Sequence, residues 1–395
     1  MSSLAADLAE AAQIGADGGG VSRFAWTPEL AHANEWLVGR LEGLGLAVEI
    51  DAAGNVFGRW DEGEGTAVLI GSHLDTVPRG GRFDGALGVL AALEAVRTLK
   101  SEGATLRRPL WLVSFNDEEG SRFQTGMLGS RAFVGDLELD DWRRRGVADA
   151  MRAAGFDFDR LPAARRVERV GAYLELHIEQ GPVLEQEGVD VGIVAGIGGL
   201  LGLRVRLTGE ANHAGTTPMA SRRDALVGAA RVVLALREEA RSRADMTANV
   251  GVLTVEPGGF NVIPGTAEFT IDVRGSDSDA FVYAEEFARE TLERVAAEEQ
   301  LELDVAETHR KPPTPLDPEL QELLEASAAE EGASSRRMSS GAGHDAMVLA
   351  KRVPAAMLFV PSRGGVSHSP DEFTAPEHCE LGARVLTRAV RRLVA

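Results

Sequence analysis

Apolar and polar residues are patterned along this chain in two distinct ways. In its first and last portions, short apolar runs stand between turn-forming residues: Thr66-Ala-Val-Leu-Ile-Gly71, Leu110-Trp-Leu-Val-Ser-Phe115 and Ala355-Ala-Met-Leu-Phe-Val360. Runs of this length predict strands buried on both faces. After the first of them, Val89, Leu93, Val96 and Leu99 recur at helical spacing and predict a helix over 85–100. Strands separated by helices predict an α/β fold with a helix-covered, mostly parallel sheet. Ligands of such sheets lie beyond the carboxyl ends of the strands. Chemistry is therefore expected after positions 71, 115 and 360.

The middle of the chain is patterned differently. Leu203-Arg-Val-Arg-Leu207 and Ala267-Glu-Phe-Thr-Ile-Asp-Val-Arg274 alternate strictly, as half-buried strands do, and 225–240 and 280–298 have helical patterning. Two such strands with two amphipathic helices predict a small α+β domain inserted into the larger one. The glycine cluster Gly196-Ile-Gly-Gly199 and the stretch Lys311-Pro-Pro-Thr-Pro-Leu-Asp-Pro318 mark its edges. The expected division is 1–196, an insert over 197–312, and 313–395.

Composition narrows the function. The 395 residues include 61 acidic and 41 basic ones, a formal charge of −20, and no basic stretch offsets it, which disfavours nucleic-acid binding. One cysteine, Cys379, excludes an internal disulfide and any zinc site of several cysteines. The longest nearly apolar run, 191–203, is too short and glycine-rich to span a bilayer. The first residues lack the basic and apolar regions of a signal peptide. A cytoplasmic protein that acts on a small molecule, without a membrane partner, is expected.

The expected strand ends carry suitable chemistry. Ser72-His-Leu-Asp75 and Arg82-Phe-Asp-Gly85 follow the first strand, Asn116-Asp-Glu-Glu-Gly120 the second, and His368-Ser-Pro-Asp371 comes after the third. Each alone reads more readily as a solvated loop; their joint arrival at one sheet edge changes that. Imidazole and carboxylate without thiolate suit zinc, manganese or cobalt. In a Glu-Glu pair one carboxylate can bind metal while its neighbour serves as general base. In Tyr173-Leu-Glu-Leu-His-Ile-Glu-Gln180, alternation puts Glu175, His177 and Glu179 on one face. This pattern leaves His177 either a site residue or a solvent-facing one. On pattern alone, His213, Asn261 and Arg274 in the insert read as surface polar groups.

Taken together, these segments are familiar. Gly71-Ser-His-Leu-Asp-Thr-Val-Pro78 with Gly80-Gly-Arg-Phe-Asp-Gly-Ala-Leu-Gly88 resembles the metal-binding segment of the hydantoinase/carbamoylase amidases, within the aminoacylase-like dinuclear metallopeptidase superfamily. Asn116-Asp-Glu-Glu-Gly-Ser-Arg-Phe123, Glu175-Leu-His-Ile-Glu-Gln-Gly-Pro182, Asn212-His-Ala-Gly-Thr-Thr-Pro-Met219, Ser340-Gly-Ala-Gly-His-Asp-Ala346 and His368-Ser-Pro-Asp-Glu372 extend the resemblance in family order. It implies two divalent ions per subunit (zinc, manganese, cobalt or nickel). His73, Asp84 and His177 would hold one, and the bridging Asp84 with Glu119 and His368 the other. It further implies Glu118 as general base, and Asp75 as a carboxylate that orients His73. Gln180, His213, Asn261 and Arg274 would surround the substrate, with His213 stabilising an oxyanion. The insert would be a lid and homodimerisation domain, from which His213 and Asn261 reach the partner subunit's site. The implied reaction cleaves the carbamoyl C–N bond of a small anionic ureido compound. N-carbamoyl-L-amino acids come first, then allantoate or β-ureidopropionate, and then a metal-dependent aminoacylase or peptidase activity.

Overall fold

The computed structural model describes residues 2–395. It divides into two compact units. One comprises the chain up to Ala195 with Leu316–Met338 and Ala342–Ala395, and the other Gly196–Pro315 with Ser339–Gly341.

The first unit is built on a sheet whose principal strands are β1 (Ala47–Ile50), β2 (Val56–Trp60), β3 (Ala67–His73), β4 (Leu110–Phe115), β5 (Val170–Ile178), β6 (Val191–Ile197) and β7 (Ala355–Val360). Their order is β6-β7-β5-β3-β4-β2-β1. The four central strands, β7, β5, β3 and β4, are mutually parallel, while β6, β2 and β1 run antiparallel to their neighbours. Apart from Gly171, every residue of the four central strands is buried, as parallel strands covered on both faces require. The helix Ala86–Ser101 buries Leu87, Leu90, Leu93 and Leu99 among the residues of its core-facing side. The C-terminal helix Pro376–Val394 adds Val385, Leu386, Ala389 and Val390 to the same core. Strand β7 lies between β5 and β6: Phe359 is opposite His177 on one side and Gly192 on the other.

The second unit is an antiparallel sheet with two helices. Thr266–Gly275 pairs with Gly199–Thr208 along its length, and Glu302–Lys311 flanks the latter. Alternate residues Ala267, Phe269, Ile271 and Val273 face a core completed by Ala229, Val232 and Leu236 of Ala225–Ser242 and Ala284, Ala288 and Leu292 of Ser278–Glu298. One edge strand, Glu302–Lys311, carries Glu302, Asp304, Glu307, Arg310 and Lys311, charges that discourage edge-to-edge pairing. This unit also takes in Pro313 to Pro315, beyond the expected boundary at 312, because Thr314 and Pro315 pair with Ile197 and Gly196.

Candidate metal centre and catalytic site

Parallel strands end at the same sheet edge, and four of them bring the chemistry there. His73 is the last residue of β3 and lies opposite Phe115, the last of β4. Glu118 and Glu119 follow β4, His177 is next to last in β5, and His368 lies in the loop after β7. His177 is 1% exposed, so it is not the solvent-facing strand residue that alternation also permitted.

Asp84 is the centre of the arrangement. Its Oδ1 lies 3.1 Å from His177 Nε2 and 3.9 Å from His73 Nε2; its Oδ2 lies 3.2 Å from His368 Nε2. His368 Nε2 is in turn 3.5 Å from Glu119 Oε2. Two groups of potential ligand atoms thus share one carboxylate: His73, Asp84 and His177, and Asp84, Glu119 and His368. Glu118 Oε2 stands 3.6 Å from His73 Nε2, beside both groups. A third group, Glu175, His177 and His344, lies within similar reach. There, however, Glu175 already accepts hydrogen bonds from the Ser72 hydroxyl (2.7 Å) and the Ala346 N–H (3.1 Å). His177 Nδ1 meets the Ile178 carbonyl at 2.9 Å, and the His344 ring packs edge-on against His177 at 4.5 Å. This group forms a hydrogen-bonded layer beneath the first.

The residues suit divalent ions. The donors are imidazole nitrogens and carboxylate oxygens, the set favoured by zinc and manganese among others. Glu119 Oε1 is buried without a hydrogen-bond partner among the described residues, a costly arrangement unless a cation completes it. Electrostatics agree. Burial, then the charges of Glu119, Asp345, Asp75 and Asp84, holds Glu118 well above the usual carboxylate range. Burial and Asp84 raise Glu119 to about 8, and burial and Asp75 raise Asp117 to about 8. Asp84 moves the opposite way: burial opposes ionisation, but hydrogen bonds from His177 and His368 hold it well below its ordinary value. So many buried carboxylates call for added positive charge.

Local structure explains the placement of each group. The Asp75 carboxylate receives the backbone N–H groups of Glu118 (3.2 Å) and Glu119 (3.1 Å), which fixes the turn presenting both glutamates. His73 Nδ1 is closest to the Asp75 main-chain carbonyl, at 3.0 Å, and stands 3.7 Å from its carboxylate. The expected orienting contact is therefore made chiefly by the backbone. Asp117, Gln180 and His368 all have φ near +55 to +60°, a left-handed conformation uncommon for residues with side chains. Gln180 Nε2 donates to Asp84 Oδ2 at 3.0 Å. Glu179, expected to share the face of His177, turns away once β5 ends and caps Val183 and Leu184 instead.

His213, Asn261 and Arg274 belong to the second unit. The structure brings the first two together: the Ala214 N–H donates to the Asn261 carbonyl at 2.9 Å, and His213 bridges to Val262. Both are exposed. Arg274 already has partners. Its Nε and Nη2 each lie 3.0 Å from an oxygen of Asp272, and its Nη1 donates to the Gly341 carbonyl at 2.8 Å. The pairing was readable from sequence, because residues two apart on a strand share a face. Glu372 was missed. It is 4% exposed and accepts from the Phe83 and Asp84 N–H groups, contacts that no local pattern reveals.

The model of peptidase family M20/M25/M40 matches residues 69–392. The chain belongs to this family. An N-carbamoyl-L-amino acid amidohydrolase of Geobacillus stearothermophilus is 42% identical over 396 residues, covering 98% of this chain and 97% of the relative. An allantoate amidohydrolase of Bacillus subtilis is 38% identical over 393 residues, covering 97% and 95%. Among solved structures, a hydantoinase/carbamoylase family amidase from Burkholderia ambifaria superposes with a TM-score of 0.89 at 40% identity, covering 99% of this chain and 97% of that one. The chain is thus an M20/M25/M40 enzyme, a metal-dependent hydrolase of the hydantoinase/carbamoylase branch. Among its described residues no helix is long and apolar enough to cross a membrane.

Proposed function

We propose that this M20/M25/M40 protein hydrolyses the carbamoyl C–N bond of a small ureido acid, with N-carbamoyl-L-amino acids as the preferred class. The observation that carries the reading is Asp84 turning one oxygen toward His73 and His177 and the other toward His368, with Glu118 alongside. Two divalent ions are proposed, one on His73, Asp84 and His177 and one on Asp84, Glu119 and His368. Such ions, when bound, supply a polarised carbonyl and a more acidic water.

The chain's own groups do the rest. Glu118 accepts the proton of the attacking water as its oxygen bonds to the ureido carbon. His213, reaching in from a second copy of the chain, donates to the oxygen on which negative charge develops, a contribution of order 3–4 kcal/mol at comparable sites. Glu118 then returns the proton to the departing nitrogen as the C–N bond breaks. One water is consumed; the free amino acid departs, and the carbamic acid left behind breaks its remaining C–N bond to give ammonia and carbon dioxide. Arg274 is proposed to hold the substrate carboxylate with the guanidinium N–H groups not already given to Asp272 and the Gly341 carbonyl. The second unit is proposed to be a lid and homodimerisation domain. In support, Leu234 and Val227 are exposed on Ala225–Ser242, and Val252 and Leu253 are exposed where the strand Leu253–Glu256 begins. A cytoplasmic location is proposed with it; Cys379 is a free, buried thiol.

Ammonia release by the manganese-loaded protein tests the reading, with N-carbamoyl-L-methionine, allantoate and a dipeptide side by side. Preference for the first supports it. Preference for allantoate moves the chain to the second reading, which its allantoate-hydrolysing relatives favour. Amine release from the dipeptide without ammonia from either ureide overturns it.

A further inference from the structure

We propose that Glu372 is a positioning residue that assembles the second ion position by holding the Asp84 and His368 loops in register. The inference rests on the two-ion reading above. One oxygen, Oε1, accepts both the Phe83 N–H (3.0 Å) and the Asp84 N–H (3.1 Å). The other, Oε2, accepts the Ser367 hydroxyl at 2.8 Å. Ser367 immediately precedes His368, and its oxygen lies 3.2 Å from Gln180 Nε2, which also donates to Asp84. A continuous set of donors therefore runs from Gln180 through Ser367 to Glu372, and from Glu372 to the backbone of Asp84. It joins segments nearly 290 positions apart in sequence.

Two details show that the fit is tight. A β-carbon at Gly81 would lie 1.9 Å from Glu372 Oε1, so only glycine lets this loop close over the carboxylate. Two N–H groups converging on one anionic oxygen form charge-assisted bonds, stronger than those a neutral acceptor would make. The two proposed positions differ in what supports them. His73 and His177 sit on β3 and β5, held by the sheet ladder. His368 is in a loop with a left-handed backbone, and it meets Asp84 only if the two loops stay in register. Removing Glu372 loosens the second position, where it braces the loops of both Asp84 and His368, far more than the first, which shares only Asp84 with it.

The test is calorimetric titration of ion-free protein with manganese, with metal content after dialysis, for wild type, Glu372→Ala and Glu372→Gln. Phe373→Leu is the control: it removes the ring contact between Phe83 and Phe373, which also ties these loops, but keeps the carboxylate. Wild type and Phe373→Leu are expected to take two ions per subunit. Glu372→Ala should keep one tight ion and bind the other at least tenfold more weakly. Glu372→Gln, whose amide oxygen still accepts the two N–H groups, should fall between them. Unchanged binding of both ions by Glu372→Ala overturns the proposal, and so does equal weakening of both. If Glu372→Ala does not fold, Glu372→Gln decides by the same criteria. A wild type that takes fewer than two ions overturns the two-ion reading itself.

Discussion

The His73 ring occupies the space that a side chain on Gly85 would need: a β-carbon there would lie 2.3 Å from the ring's Cε1. Gly85 also has φ +62°, and it opens the helix Ala86–Ser101 directly after Asp84. Gly85→Ala is expected to displace His73, weaken ion binding at least tenfold and destabilise the fold by about 1–3 kcal/mol. Gly39 gives the opposite sign. It lies inside the helix Pro28–Gly43 with nothing within 4 Å of its would-be β-carbon. Gly39→Ala should stabilise by about 0.5–1 kcal/mol. Thermal denaturation of the two variants reads both signs.

Glu118→Gln keeps the shape of the side chain and removes its capacity to take a proton. It is expected to retain the wild-type ion content while kcat falls about 10²- to 10⁴-fold. Metal analysis alongside turnover checks this, and unchanged turnover would remove Glu118 from the role of base.

Ion affinity should depend on pH with a definite sign. The hydrogen bond to Asp84 raises His368 to about 9; for His177 burial opposes protonation, but the Asp84 contact still raises it to about 9. Glu119 stands at about 8. Below these values the ion-free protein carries protons on the atoms an ion would need, since ions bind neutral imidazole and ionised carboxylate. Affinity for manganese should therefore rise from about pH 7 to 9 and then level off. Loading at neutral pH should release more than one proton per subunit, measurable by titration in buffers of different ionisation enthalpy.

Arg274→Ala should raise KM for the ureido acid roughly ten- to a hundredfold, the worth of a charge-assisted bond, with a smaller change in kcat. Arg274→Lys should not restore it, because an ammonium cannot bind a carboxylate through two parallel bonds. An unchanged KM would confine Arg274 to its pairing with Asp272.

Leu234, 57% exposed on an outward face of Ala225–Ser242, tests the proposed assembly. Leu234→Glu should weaken self-association at least tenfold, if the residue contributes more than about 1.4 kcal/mol at the interface. Sedimentation at several concentrations measures it.

Much of the fold was legible because burial on both faces leaves an unbroken apolar run. The runs 110–115 and 355–360 coincide with β4 and β7, and strict alternation located Thr266–Gly275 to within a residue at each end. Elements were easier to read than contacts. Nothing near Asp75 indicates that its carboxylate would receive the N–H groups of Glu118 and Glu119, more than forty positions on. Glu372 closes a segment that carries the resemblance, yet that resemblance gives it no role, and only the folded chain brings the Asp84 backbone to it. The edge of the second unit at Pro315 was obscured for a similar reason, since a two-residue pairing leaves no periodicity.

The place of β7 has a consequence for how the chain must be made. A ribosome emits β5 and β6 long before β7, yet β7 is the strand that fills the space between them. Until it emerges, each of the two earlier strands keeps an unsatisfied edge, the kind of surface that captures other extended chains. The nascent protein therefore completes this part of the sheet only after the whole second unit has been synthesised. Its vulnerable period ends only when the final apolar run enters from the side of the sheet's interior, bringing His368 behind it.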